Sequence, residues 1–277
     1  MNLFCFGQGY TATRLISSLS KEKWQYSGTR RDHGEICFNG TGPIEYIERH
    51  LKEVTHILIS TPPMADIGDP VFHFHGTDIE KLPSLKWVGY LSATSIYGDH
   101  NGDWVDEKTP ETPSGERGEQ RLNAEKQWRS LDIPLHIFRL AGIYGPDRNQ
   151  IKSVKTGTAR KIIKENHVFS RIHVDDIVSA LVTSMDTPIP GIYNLSDDTP
   201  ASTADVLDYI CDHLDLPLIE GKNIAGTDIS PALRSFYADN KRVKNDHVKK
   251  AFNWAPKYPS YKEGYSALFD ELDKRSL

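Results

Sequence analysis

The stretch "FCFGQGYTA", residues 4 to 12, sets three apolar residues directly before two glycines spaced one apart. The run "NLFCF" (2–6) has the length and continuity of a buried strand, and "YTATRLISSLSKE" (10–22) carries helical periodicity. Gly7-x-Gly9-x-x-Ala12 therefore falls at a strand-to-helix turn. Gly7 permits the tight turn, Gly9 lets the backbone approach a pyrophosphate, and Ala12 keeps helix and strand in contact. The helix start adds unpaired N–H groups and a partial positive charge. Gly7, Gln8, Gly9, Tyr10, Thr11 and Ala12 are thus expected to cradle a dinucleotide diphosphate; the plainer alternative is a turn that serves only the fold.

The second strand, within "KWQYSGT" (23–29), ends at "RRDHG" (30–34). An acidic residue at such an end receives the ribose 2′-hydroxyl of NAD, whereas an arginine accepts the 2′-phosphate of NADP. Arg30 and Arg31 come first, and a guanidinium fork suits a phosphate, so NADP is the expected cofactor. Asp32 keeps NAD open as the alternative if the strand runs further.

Working outward, "EICF" (35–38) reads as a short strand and residues 44–52 as a helix. "HILIS" (56–60), a helix over 68–81, "WVGYLS" (87–92), a helix over 115–131 and "PLHIFRLA" (134–141) come next. Strands separated by helices of this length make parallel βαβ units with helices on both faces. The expected fold is α/β, a Rossmann-type doubly wound parallel sheet on residues 1–149. "RIHV" (171–174), a helix over 175–185 and "GIYNLS" (191–196) return elements to it. Residues 150–277, where the pattern loosens, are read as a smaller C-terminal substrate-binding lobe with helices over 203–214 and 242–252.

The totals set bounds on function. A chain of 277 residues, 38% apolar and 26% charged, is long enough to bury a real core. Its net charge of −5 argues against non-specific nucleic-acid or membrane-surface binding. Cys5, Cys37 and Cys211 are odd in number and widely spaced, which argues against a disulfide framework or a zinc site and fits a reducing compartment. There is no apolar run near the roughly 20 residues that span a bilayer, and no basic leader before "LFCF". A cytoplasmic protein is expected.

"HILISTPP", "YLSATSIYGDHNGDWVDE", "FRLAGIYGPDRN", "RIHVDDIVSAL" and "GIYNLSDDTPAS" occur in that order after "GQGYTA". Together they resemble the extended short-chain dehydrogenase/reductase superfamily, the NAD-dependent epimerases and dehydratases of nucleotide sugars. The resemblance implies a Rossmann core binding NAD(P), a C-terminal lobe for a small-molecule substrate of nucleotide-sugar type, and a homodimer. It also implies that Ser60, Thr61 and Pro62 of "STPP", with Ser92, wall the cofactor cleft, and that Tyr97, Arg148 and Arg171 face substrate. For "GIYGPDRN" a plain β-turn is the competing reading.

The superfamily's chemistry uses a Ser or Thr, a Tyr and a Lys, the last two at YxxxK on one helix face. Aligning on "IYGD" places the Ser/Thr position at Ala93, and aligning on "AEKQW" places Tyr at Arg117 and Lys at Arg121. The stretch between Tyr97 and Tyr144 holds no tyrosine, so a shift does not restore the dyad. A guanidinium stays protonated at neutral pH and is no general acid or base. Arg121 can still bond the nicotinamide ribose, and Arg117 can present its fork to a carboxylate, phosphate or polarised carbonyl. Any proton would come from water or from a cleft hydroxyl such as Thr94 or Tyr144. The competing reading pairs both arginines with Glu107, Glu116, Glu119 or Glu125 on a solvated helix face.

Three features weigh less. Asp175 and Asp176 read as helix N-caps before catalytic acids. The basic run Lys152, Lys155, Arg160, Lys161 and Lys164 suits an anionic substrate or a plain charged face. His73-x-His75 lacks a third ligand, so no metal site is expected. Two functions fit these residues. One is an atypical NAD(P)-dependent protein acting on an anionic or nucleotide-linked small molecule by oxidoreductase or epimerase chemistry. The other is a non-catalytic NADP(H)-binding redox sensor.

Overall fold

A computed structural model describes residues 1–226 and 229–275. β1 (Asn2–Phe6), α1 (Tyr10–Ser18), β2 (Gln25–Gly28), α2 (Ile47–Leu51), β3 (His56–Ile59), α3 (Pro70–Glu80) and β4 (Trp87–Ala93) alternate, as the periodicity requires. A 3-10 turn (Thr94–Tyr97) and β5 (Trp104–Val105) lead to α4 (Glu116–Trp128) and β6 (Leu135–Leu140). Next come β7 (Gly142–Tyr144), α5 (Ile151–Lys155), β8 (Lys161–Ile163), β9 (Arg171–His173), α6 (Val174–Asp186) and β10 (Gly191–Leu195). The chain continues through α7 (Thr203–His213), β11 (Gly221–Asn223), α8 (Pro231–Phe236), β12 (Arg242–Val243), α9 (Asp246–Phe252) and α10 (Tyr261–Arg275).

Six strands form one parallel sheet in the order β10-β6-β4-β3-β1-β2. Because β1 is flanked by β2 on one side and β3 on the other, the strand order reverses there. A crevice opens above its carboxyl end, the place where ligands of such sheets bind. The two-residue period of β1 explains the double covering. Leu3 and Cys5 enter a core completed by Leu15, Ile177, Leu181 and Phe252, while Phe4 and Phe6 enter another with Val71, Ile79 and Trp128. Helix starts are fixed locally: the Asp69 carboxylate accepts the Phe72 amide at 2.9 Å, and Ser202 with Asp205 closes a capping box on α7.

Three expectations change. "EICF" adds no strand to the sheet: the chain doubles back, makes a single bridge between Arg30 and Cys37, and buries Ile36 and Phe38 against the α2–α3 face. With only "RRDHG" between, there is no room for the crossover helix a parallel neighbour needs. Residues 242–243 are strand rather than helix, paired with Trp104–Val105, and the helix starts at Asp246. α10 was not expected at all. It packs with α7 in a separate C-terminal core of Tyr144, Val206, Ile210, Tyr265 and Phe269. Among the described residues, no helix is long and apolar enough to cross a membrane.

Candidate active site

Gly7 takes φ +87°, and a Cβ there would lie 3.1 Å from Thr61 Cγ2 and 3.2 Å from the Thr61 amide. The turn is held by two bonds to Thr29: its hydroxyl accepts from the Gly7 amide at 2.9 Å and its carbonyl from the Gln8 amide at 2.8 Å. Gly9 is the N-cap of α1 and has no side chain to cap it, and the first turn contains no acidic residue. A Cβ on Gly9 would meet nothing within 4 Å, so the approach to the helix start is open. Beside it the Thr61 hydroxyl is enclosed without a partner. Bare amides, an open face and an orphaned hydroxyl fit the diphosphate end of a dinucleotide.

Ser60 continues β3, its amide donating to the Phe6 carbonyl at 2.9 Å, and Pro62 is exposed beyond it. Thr11 and Ala12 are buried under the turn. Tyr10 turns aside: its hydroxyl donates to the Pro146 carbonyl at 2.8 Å, and Arg148 lies 5.7 Å over its ring. At the end of β2, the stem of Arg30 folds over Gly34 while Arg31 is exposed. Asp32 is exposed too, with His33 Nδ1 at 2.9 Å from its carboxylate.

α4 sends its two arginines to different places. Arg121 turns inward, where Nη1 donates to the Leu91 carbonyl at 2.7 Å and to the Tyr90 hydroxyl at 3.3 Å. Arg117 is exposed and lines a cavity of about 980 Å³ together with Thr94 and Ser95. Neither arginine pairs with the glutamates of a solvated face. Glu107 accepts the Asn194 amide, Glu116 accepts from Gln120, and Glu125 is fully buried.

The partner of Glu125 is Arg139, the residue that sequence reasoning passed over. Arg139 is fully buried on β6 and donates to Glu125 Oε2 at 2.8 Å, to Glu111 at 2.5 Å and to the Tyr97 hydroxyl at 3.0 Å. Ser92 donates to Glu125 Oε1 at 2.5 Å, and Tyr97 donates onward to Asn194 at 2.8 Å. Two residues expected at the ligands therefore face inward. Ser92 and Tyr97 stitch β4, β6, β10 and α4 together beneath the cleft, and burial pushes the Tyr97 phenol up to about 12. Tyr144 is among the residues lining the cavity. Its hydroxyl donates to the Ser260 carbonyl at 3.4 Å, against Gly264 of α10, and burial raises its pKa.

The cavity is strongly cationic. Arg117, Arg148, Arg160, Arg171 and Lys241 line it, against Glu116 and Asp239. Among the described residues, arginine–carboxylate pairs are made by Arg14, Arg129 and Arg139, and none by those four lining arginines. Arg171 is held by the carbonyls of Phe169 (3.0 Å) and Ala201 (2.6 Å), and burial lowers its pKa. The far wall is the segment 237–243. Asn240 bonds to Asp99, Asn166 and Val168 and to the backbone of His100 and Gly102, fastening that wall to the loop after β4.

No family model matches the chain. A solved structure of a functionally unknown conserved protein from Silicibacter pomeroyi is 43% identical, covers 98% of both chains and superposes with a TM-score of 0.91. At that level the two proteins belong to one family. The dTDP-glucose 4,6-dehydratase of Bacillus anthracis, solved with NAD, is 19% identical over 95% of this chain and 94% of its own, with a TM-score of 0.75. The UDP-glucuronic acid 4-epimerase of Bacillus cereus, also solved with NAD, is 14% identical over 95% and 96%, with a TM-score of 0.73. The fold is that of the extended short-chain dehydrogenase/reductases. Ala93 ends β4, and Arg117 and Arg121 lie on α4. Among curated proteins, a 3-diazoavenalumate denitrifying reductase from Streptomyces sp. is 26% identical over 153 residues, about half the length of each chain (50% and 49%).

Proposed function

We propose that the protein is an NADP-dependent reductase of the extended short-chain dehydrogenase/reductase fold, acting on an anionic or nucleotide-linked small molecule. The observation that carries this reading is the cavity whose four arginines make no carboxylate ion pair among the described residues, and which Thr94 just after β4 and Arg117 of α4 also line. In a chain of net charge −5, such a concentration of cations serves an anion.

The amides of Tyr10 and Thr11 and the Thr61 hydroxyl would hold the cofactor diphosphate, Arg30 its 2′-phosphate and Arg121 its nicotinamide ribose. The bound cofactor supplies hydride. Arg148 and Arg171 would hold the substrate's anionic groups, and Arg117 would stabilise negative charge developing on the carbonyl oxygen. Arg117 stays protonated at neutral pH, so it bears on charge alone and the proton of the reduction comes from another group. The curated relative's name, a reductase, supports reduction as the direction. In this reading residues 1–149 bind cofactor and 150–277 bind substrate, in a cytoplasmic homodimer.

Thermal stabilisation by NADP, NADPH, NAD and NADH in parallel tests the cofactor assignment; tighter binding of NAD removes Arg30 from its role. Incubation of the NADPH-loaded protein with a metabolite library, followed by absorbance at the reduced nicotinamide band, tests the chemistry. The loss of the Tyr-Lys dyad supports a second reading, a sensor of the NADP/NADPH ratio. Any reproducible hydride transfer eliminates it.

A further inference from the structure

A reductase without the α4 tyrosine needs another source of protons. Lys241, just before β12, lines the same cavity as Thr94, Ser95 and Arg117. Its Nζ donates to the Gly98 carbonyl at 2.7 Å and to Asp239 Oδ2 at 3.1 Å. Gly98 closes the 3-10 turn that begins at Thr94. Asp239 also takes the hydroxyl of Ser114, three residues before Arg117. Lys241 is thus braced between the two segments that carry the catalytic positions of the fold. An ammonium has three N–H donors, and these two partners leave one for the cavity.

We propose that Lys241 is the proton donor of this site, acting on the oxygen of an anionic carbonyl substrate whose charge is held by Arg148 and Arg171. The proposal rests on the reductase reading. The carbonyl carbon takes up hydride from a reduced nicotinamide and its π pair moves to oxygen. An O–H bond forms there as an Nζ–H bond breaks, and the neutral amine regains a proton from water. Carbonyl, reduced cofactor and one proton become alcohol and oxidised cofactor. Burial lowers the Lys241 pKa, opposed by Asp239 and Asp99. Arg117, Arg160 and Arg171 line the same cavity, and Lys164 donates to the Tyr237 carbonyl. A donor nearer neutrality transfers its proton more readily.

Pyridoxal 5′-phosphate is the probe for the amine: its aldehyde condenses with neutral amines, and its phosphate suits the guanidiniums. Borohydride trapping and peptide mapping should find Lys241 labelled ahead of the surface lysines, with half-labelling at lower pH than theirs. No adduct, or one that tracks the surface lysines, overturns the proposal. The second measurement is NADPH oxidation with phenylglyoxylate by wild type, Lys241→Met and Lys241→Arg. The arginine variant keeps a cation with N–H donors for the Gly98 carbonyl and Asp239 but cannot release a proton at neutral pH, so it controls for loss of the charge. Both variants should lose at least about 100-fold in rate with NADPH affinity within about twofold. Equal rates in all three proteins, zero included, overturn the proposal. Failure of wild type to take up NADPH at all overturns the reductase reading instead.

Discussion

Arg139 would be the costliest charge in the molecule if it stood alone, since β6 is covered on both faces. Glu125, Glu111 and Tyr97 satisfy it, and the geometry makes each dependent on the others. Arg139→Met should therefore destabilise the fold by about 3–5 kcal/mol in urea unfolding, because Glu125 would remain buried without its cation. A loss under about 1 kcal/mol would show that water reaches the pair. Asp197 is the opposite case. It is buried with Oδ2 unpartnered, and burial raises its pKa to about 8 despite Arg171 nearby. A folded-state pKa above the ordinary 3.8 means the native state holds the proton longer than the unfolded chain. Its contribution to stability is thus fullest below about pH 4 and declines until about pH 8. Asp197→Asn should flatten that decline, so thermal midpoints of variant and wild type should diverge in the variant's favour from pH 5 to pH 8. Parallel midpoints across that range would mean that the carboxyl is solvated.

The start of α1 separates folding from ligand binding. Gly9 has room for a side chain, and aspartate is a favourable N-cap. Gly9→Asp should leave the ligand-free protein as stable as wild type, or more so by up to about 1 kcal/mol. Placing a carboxylate where a diphosphate belongs should abolish NADPH uptake in calorimetry. Retained uptake would move the cofactor elsewhere. This element was readable from residues 4–12 because strand, turn and helix each carry their own signal. α10 was equally readable and was missed. Ser260 and Glu263 bond as a capping pair, and Tyr261, Tyr265, Leu268, Phe269 and Leu272 recur at helical spacing. Gly264 in the first turn and the prolines before it masked the pattern; Gly264 is there because the Tyr144 hydroxyl occupies the space of its Cβ. The Arg139 network had one signal, a lone charge inside an apolar strand. Its partners come from distant segments, and no local spacing points to them. The inward turn of Tyr97 results from those same long-range bonds.

At the scale of the whole molecule, the division into a cofactor half and a substrate half does not make two folding units. The face of the sheet carrying Leu3, Cys5 and Leu58 is covered by Ile177, Leu181, Val248 and Phe252, all beyond residue 149. A fragment 1–149 should fail to fold. It should show poor amide dispersion in NMR and no sigmoidal denaturant transition, and a cooperative transition would refute this dependence. The cavity wall is similarly shared, and Asn240 sets its form. One amide side chain and its backbone tie together loops near residues 99, 102, 166 and 168. The vessel is shaped when the protein folds, before any guest arrives. An incoming molecule finds its host already ordered, and the entropy of arranging the wall is not subtracted from its affinity.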